Sequence, residues 1–186
     1  MRIYLLVVLA AVCLGASGCA SQFSGTTTYF YANDPPAPPL KVAVVPYDHQ
    51  TEALDWEVYS EQLQTQLTRV GFQAVDAKAA DYLVTLSYSI DGQGETRTQA
   101  IPQYDASGQM TGVVNRSSVV HQRALTVRFL RKGDRVDLKT RPAVEIRVLS
   151  AGSSNELAEV MPVLAKGAFH KWPGKEGQAY EWTISQ

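Results

Sequence analysis

Four short segments of the chain alternate apolar and polar side chains with a period of two, and this pattern restricts the fold more than any other feature. Tyr82, Val84, Leu86, Tyr88 and Ile90 share one face of the first segment, with Thr85, Ser87 and Ser89 on the other. The alternation returns in Leu125, Val127 and Phe129 against Thr126 and Arg128, in Val144, Ile146 and Val148 against Glu145 and Arg147, and in Tyr180, Trp182 and Ile184 against Glu181 and Thr183. Successive side chains of a strand point to opposite faces, so each segment reads as a half-buried strand and together they predict one sheet with a wet face.

Helical spacing takes over between these strands. Leu54, Val58, Leu63, Leu67 and Val70 recur on one stripe, Trp56 and Tyr59 widen it, and Gly71 stands where a helix stops, so residues 53–70 should be helical. A second helix is expected over 154–170, opened by a capping box of Ser153 and Glu156 and carried by Leu157, Val160, Met161, Leu164, Ala168 and Phe169. Pro162 should kink or restart it. Leu40 to Pro46 is a nearly continuous apolar run of strand length, read as a central strand, and Phe72 to Val75 should pair as another. The expected fold is α+β: a mainly antiparallel sheet of about five or six strands with two helices packed on one face. Its core should hold Val84, Leu86, Leu125, Val127, Val144, Ile146 and Trp182. Residues 91–118 are rich in Gly, Ser, Thr and Gln and lack sustained periodicity, which predicts a long loop or an irregular hairpin, the part of such a domain least expected to be inert.

The chain begins with Met1-Arg2, an apolar run from Ile3 to Leu14, and the small residues Gly15 to Gly18 ahead of Cys19. An apolar run well short of the roughly 18–20 residues that cross a bilayer, with a positive start and a small-residue processing site, reads as a signal peptide over 1–18. Ala16-Ser17-Gly18-Cys19 resembles the lipobox of bacterial lipoproteins, which implies a diacylglycerol on Cys19 and a membrane partner reached through that anchor. Cys13 lies in the leader, so Cys19 would be the sole mature cysteine. Ala20 and Ser21 in place of aspartate resemble the sorting signals of outer-membrane lipoproteins, which implies a domain facing the periplasm. Residues 19–39, with Pro35, Pro36, Pro38 and Pro39, are expected to form the lipidated N-terminus and an extended tether, with Tyr29, Phe30 and Tyr31 either dipping into the lipid headgroups or packing on the domain or a partner. Residues 40–186 would then be one domain.

At Ala79-Ala80-Asp81-Tyr82-Leu83-Val84 and at Phe169-His170-Lys171-Trp172-Pro173-Gly174 the chain resembles the uncharacterised lipoproteins grouped as domain of unknown function 4136. The resemblance would cover most of residues 40–175. It implies an anchored α+β domain and carries no assigned activity.

No motif supplies chemistry. His49, His121 and His170 form no ligand pair, no Gly-x-Ser-x-Gly elbow follows a strand, and Gly92-Gln93-Gly94 lacks the third glycine of a dinucleotide loop, so no catalytic residue, metal or cofactor is assigned. Gly133-Asp134 reads as a turn. Charge is more informative. Residues 20–95 hold three basic and ten acidic side chains, whereas 96–147 hold ten basic and four acidic. Arg128 and Arg147 fall on the expected wet face, and Arg131, Lys132 and Arg135 cluster in one connection with Lys139 and Arg141. These five (Arg128, Arg131, Lys132, Arg135, Arg147) are the candidate binding residues. These charges read either as a solvated face that only solubilises the domain or as a basic docking surface; export argues against nucleic acid as its target and leaves an anionic envelope component (a polymer or lipid headgroups) or an acidic protein. The expected function is therefore a non-enzymatic interaction module of the cell envelope, with a carrier of a small amphiphile or an uncharacterised envelope enzyme as the competing class. A carrier needs an apolar cavity and an enzyme needs converging titratable groups, whereas a module needs only a surface.

Overall fold

A computed structural model describes residues 22–47, 50 and 55–185. The expected signal peptide and Cys19 lie outside the described residues. The elements run β1 (Gln22–Tyr31), β2 (Lys41–Val44), α1 (Trp56–Arg69), β3 (Gln73–Ala74), β4 (Tyr82–Ile90), β5 (Glu95–Tyr104), β6 (Met110–Arg131), β7 (Val144–Gly152), α2 (Leu157–Ala168) and β8 (Ala179–Ser185). They build an eight-stranded mixed sheet in the order β3-β2-β4-β6-β7-β1-β8, with β5 paired to β6 off this path. Among the named strands of the described residues, β2 pairs in parallel with β3 and with β4 and the other pairings are antiparallel; a single parallel bridge joins Tyr29 to Glu176. The fold is thus α+β and mostly antiparallel, as the periodicity implies, but with more strands than expected. The two helices sit beside the sheet and touch each other.

The extra strands come from two segments, one that reads as tether and one that reads as a long loop or an irregular hairpin. Gln22–Tyr31, expected as part of a tether, is instead a strand between β7 and β8, so the folded unit begins well before residue 40. Phe23, Thr27 and Tyr29 are buried along it at period two, and the β-branched run Thr26, Thr27 and Thr28 suits a pleated surface. In the second segment, residues 91–118, the hairpin alternative holds: β5 pairs with the first half of β6, with a register shift at Gln103 and Tyr104.

All seven expected core residues are buried. Register explains why, since Val84 faces Phe129, Phe129 faces Val144 and Val144 faces Tyr31, while Leu86, Val127, Ile146 and Tyr29 form the next row. Trp182 anchors the β8 end. Its Nε1 donates to Thr27 Oγ1 at 2.9 Å, and that hydroxyl donates to the Gly167 carbonyl at 2.9 Å, joining β8, β1 and α2. The indole fits because Gly25 and Gly167 leave it room; a Cβ on either would collide with its ring. Tyr29 also reaches α2, donating to the Ala168 carbonyl at 3.0 Å, and burial raises its phenol to about 12.

The first helix ends where Gly71 predicts. Gly71 has φ +98°, its N–H donates to Thr68, and the Phe72 N–H donates to Leu67. This pattern satisfies the last carbonyls through a left-handed residue, for which glycine is suited. The buried residues of α1 are Tyr59, Leu63 and Leu67, all within the expected stripe, whereas Val58 is exposed. The ring of Tyr59 packs edge-on against Tyr88, and Tyr88 Oη donates to Asp55, which rotates the stripe toward the aromatic positions. The second helix starts at Leu157, three residues later than expected. Ser154, not Ser153, serves its start, accepting from the Glu156 N–H and donating to Glu159. The helix continues through Pro162 without restarting.

Candidate functional site

The five candidate basic residues do not form one wet patch. Alternation puts Arg128 on the solvent side of β6, yet it is buried. The outer side of the sheet is covered there by Tyr47 and by the 132–142 connection. The Arg128 guanidinium donates to the carbonyls of Leu138 at 3.0 Å and Asp137 at 3.5 Å, to Thr140, and to Tyr47 Oη at 3.4 Å. Its Nε lies 3.4 Å from Glu145 without hydrogen-bond geometry. A planar fork of donors satisfied by backbone carbonyls is a clamp on the connection, and it is not available to a partner. Thr85, also expected on the wet face, is fully buried and donates to Tyr47 Oη at 2.7 Å.

Arg147 is exposed as expected, but Glu145 neutralises it at 2.6 Å and its guanidinium lies 4.7 Å over the Phe30 ring. Glu145 therefore serves both arginines, which reduces the charge of this part of the sheet. Arg131, Lys132 and Arg135 are brought together at the end of β6 and are exposed. The two nearby aspartates do not pair with them. Asp134 accepts from the Arg131 backbone N–H at 3.0 Å and Asp137 accepts from the Lys139 N–H at 3.0 Å, holding the turn that Gly133 opens at φ +92°. Among the described residues, Arg131, Lys132, Arg135 and Lys139 form no ion pair with a carboxylate. In its satisfied amide orientation, Asn33 accepts from Arg131 at 2.7 Å. The candidate surface thus contracts from five residues to the connection itself.

This basic connection lies at one end of the sheet. Tyr31, the last residue of β1, pairs with Val144 and through it with Phe129, two residues before Arg131. Gln22, the first residue of β1, pairs with Ser185 at the opposite end, where β7 closes against His121 of β6. The same end holds a feature that the sequence did not single out. Arg123 is buried on the helix side, donates to the Ser154 carbonyl at 3.1 and 2.7 Å, and lies 5.7 Å from the Phe23 ring centre. It fixes the start of α2 to the sheet; its position opposite Ile90 within the apolar register is the only signal for it.

Beyond His121 the β5–β6 hairpin leaves the body. Every residue of β5, and of β6 through Val119, is exposed. Its root is held by Asp91, whose N–H donates to the Gln122 carbonyl and whose backbone carbonyl accepts from His121 Nδ1 at 2.7 Å, and by Gly94 at φ +67°, where a Cβ would meet Val119. At the tip, the Asp105 carboxylate accepts from the Ser107 hydroxyl and from the Ser107 and Gln109 N–H groups, which lowers its pKa. Among the described residues no group of His, Cys, Asp and Glu could hold a metal ion, and no helix is long and apolar enough to cross a membrane.

No protein-family model and no curated protein matches the chain. Among solved structures it is similar to a PDZ domain protein from Parabacteroides distasonis, with 16% identity and a TM-score of 0.48, covering 89% of this chain and 39% of that one. It is also similar to the PelC dodecamer from Paraburkholderia phytofirmans, with 14% identity and a TM-score of 0.40, covering 77% of this chain and 96% of that one. The chain therefore spans about two fifths of the first of these.

Proposed function

We propose that this chain is a lipoprotein of the domain of unknown function 4136 type. Cys19 anchors it to the outer membrane, facing the periplasm, and it acts as an interaction module rather than as an enzyme. The observation that carries this reading is the polarity of the sheet. Cys19 precedes Gln22 by three residues, so the anchor joins the sheet at the end where β1 begins. The exposed connection with Arg131, Lys132 and Arg135 lies at the other end, about 30 Å away along ten strand residues. An anchor at one end presents the cationic end to the periplasm, where an anionic envelope component or an acidic protein would meet it.

Two measurements test the reading. The mass of the N-terminal peptide from membrane-extracted protein should show diacylglycerol on Cys19; an unmodified peptide rejects the anchor. Affinity capture from solubilised envelopes with Lys132→Glu/Arg135→Glu should retain less partner than the wild type while the unfolding midpoint stays the same, and added salt should mimic the reversal. Capture unaffected by both reversal and salt would remove the docking role.

A further inference from the structure

Among the described residues, six of the nine large exposed hydrophobic side chains lie on the β5–β6 hairpin: Ile101, Tyr104, Met110, Val113, Val114 and Val119. Their distribution matters more than their number. Ile101 pairs with Val114 and Pro102 with Val113, and successive pairs in a ladder face opposite ways, so the apolar band encircles the hairpin. A docked protein would cover one face. A band on both faces suits a medium that surrounds the hairpin, and Arg97 and Arg116 separate its outer part, from Ile101 to Val114, from Val119 at the root. Pro102 has no N–H to offer a further strand, which interrupts pairing of a second copy along β5.

Position supplies the rest. The hairpin leaves the sheet at His121, at the end where β1 begins, and the chain before Gln22 reaches the lipobox cysteine in three residues. Three residues span at most about 11 Å, whereas the ten residues of β5 extend about 34 Å from the body. An arm longer than its anchor, on the same end of the sheet, meets the bilayer. We propose that the β5–β6 hairpin is a membrane-contact arm that lies in the headgroup and upper acyl region beside the anchor. The inference rests on the anchored reading above. The arm does not cross the bilayer, because its open strand edges require water and its tip carries a charged Asp105 turn.

The test uses the full lipidated chain reconstituted into vesicles of phosphatidylethanolamine and phosphatidylglycerol, with and without brominated acyl chains. Val114→Trp, at an exposed position away from the core, should add emission that the brominated lipid largely quenches. Lys139→Trp, at the far end of the sheet, should add emission that it does not quench; wild-type protein supplies the background of the native tryptophans. Equal emission of Val114→Trp in both lipids overturns the inference, whether the arm then cross-links to a second copy or stays in solvent. Quenching of Lys139→Trp as well overturns the placement at one end. The N-terminal peptide mass keeps the two ideas apart: a lipidated Cys19 with an unquenched arm rejects the arm alone, whereas an unmodified Cys19 rejects the anchor whatever the arm does.

Discussion

The strand β6 contains two environments. Between residues 121 and 131 it is flanked by β4 and β7 and packed beneath α2, and Leu125, Val127 and Phe129 are sealed from water. Between residues 110 and 119 the same strand has only β5 beside it, and Val113, Val114 and Val119 are exposed. Valine appears in both halves, so composition does not separate them. What differs is whether anything lies across the face, and this teaches that alternation marks a strand without stating which of its faces is covered.

The comparison breaks if the inner half proves tolerant. Phe129→Ala should destabilise the domain by about 3–5 kcal/mol, read as a lowered denaturant midpoint, because Phe72 and Trp172 pack directly on that ring. A smaller loss, about 1.5–3 kcal/mol, is expected for Arg128→Ala, which leaves the carbonyls of the connection without their charged donor. Hydrogen exchange at residues 137–140 should rise in the same variant. Gly167→Ala should cost about 1–3 kcal/mol by forcing the Trp182 indole from its slot, measurable as a shift in its emission. For the solvent-side counterpart, Arg147→Ala should change stability by less than about 1 kcal/mol, since the arginine is exposed and its loss leaves the half-buried Glu145 beside Arg128. Smallest of all, Val114→Ser should stay within about 0.5 kcal/mol; a larger loss would mean that the arm packs on the body.

The pair Arg128 and Arg147 shows why the candidate surface was only partly legible. Both occupy the polar phase of an alternating strand, and local pattern treats them alike. Three-dimensional neighbours do not, because the connection after β6 folds back over one and leaves the other in solvent. The opposite error occurred at Gln22–Tyr31, where threonines and a glycine resembled a linker. Gly25 is small because Trp182, distant in sequence, occupies the space beside it.

From sequence alone came the elements whose signals are local: four alternating strands, two amphipathic helices, the stop at Gly71 and the turn at Gly133. Each depends on side-chain spacing or backbone freedom within a few residues, which a linear pattern records. Tertiary structure alone decided the insertion of β1 between β7 and β8, the burial of Arg128, the contraction of the basic surface to one connection, and the projection of the hairpin from the end where β1 starts. Those outcomes follow from strand order and from what covers each face, and they bring together residues more than a hundred positions apart, such as Thr27 with Gly167 and Trp182.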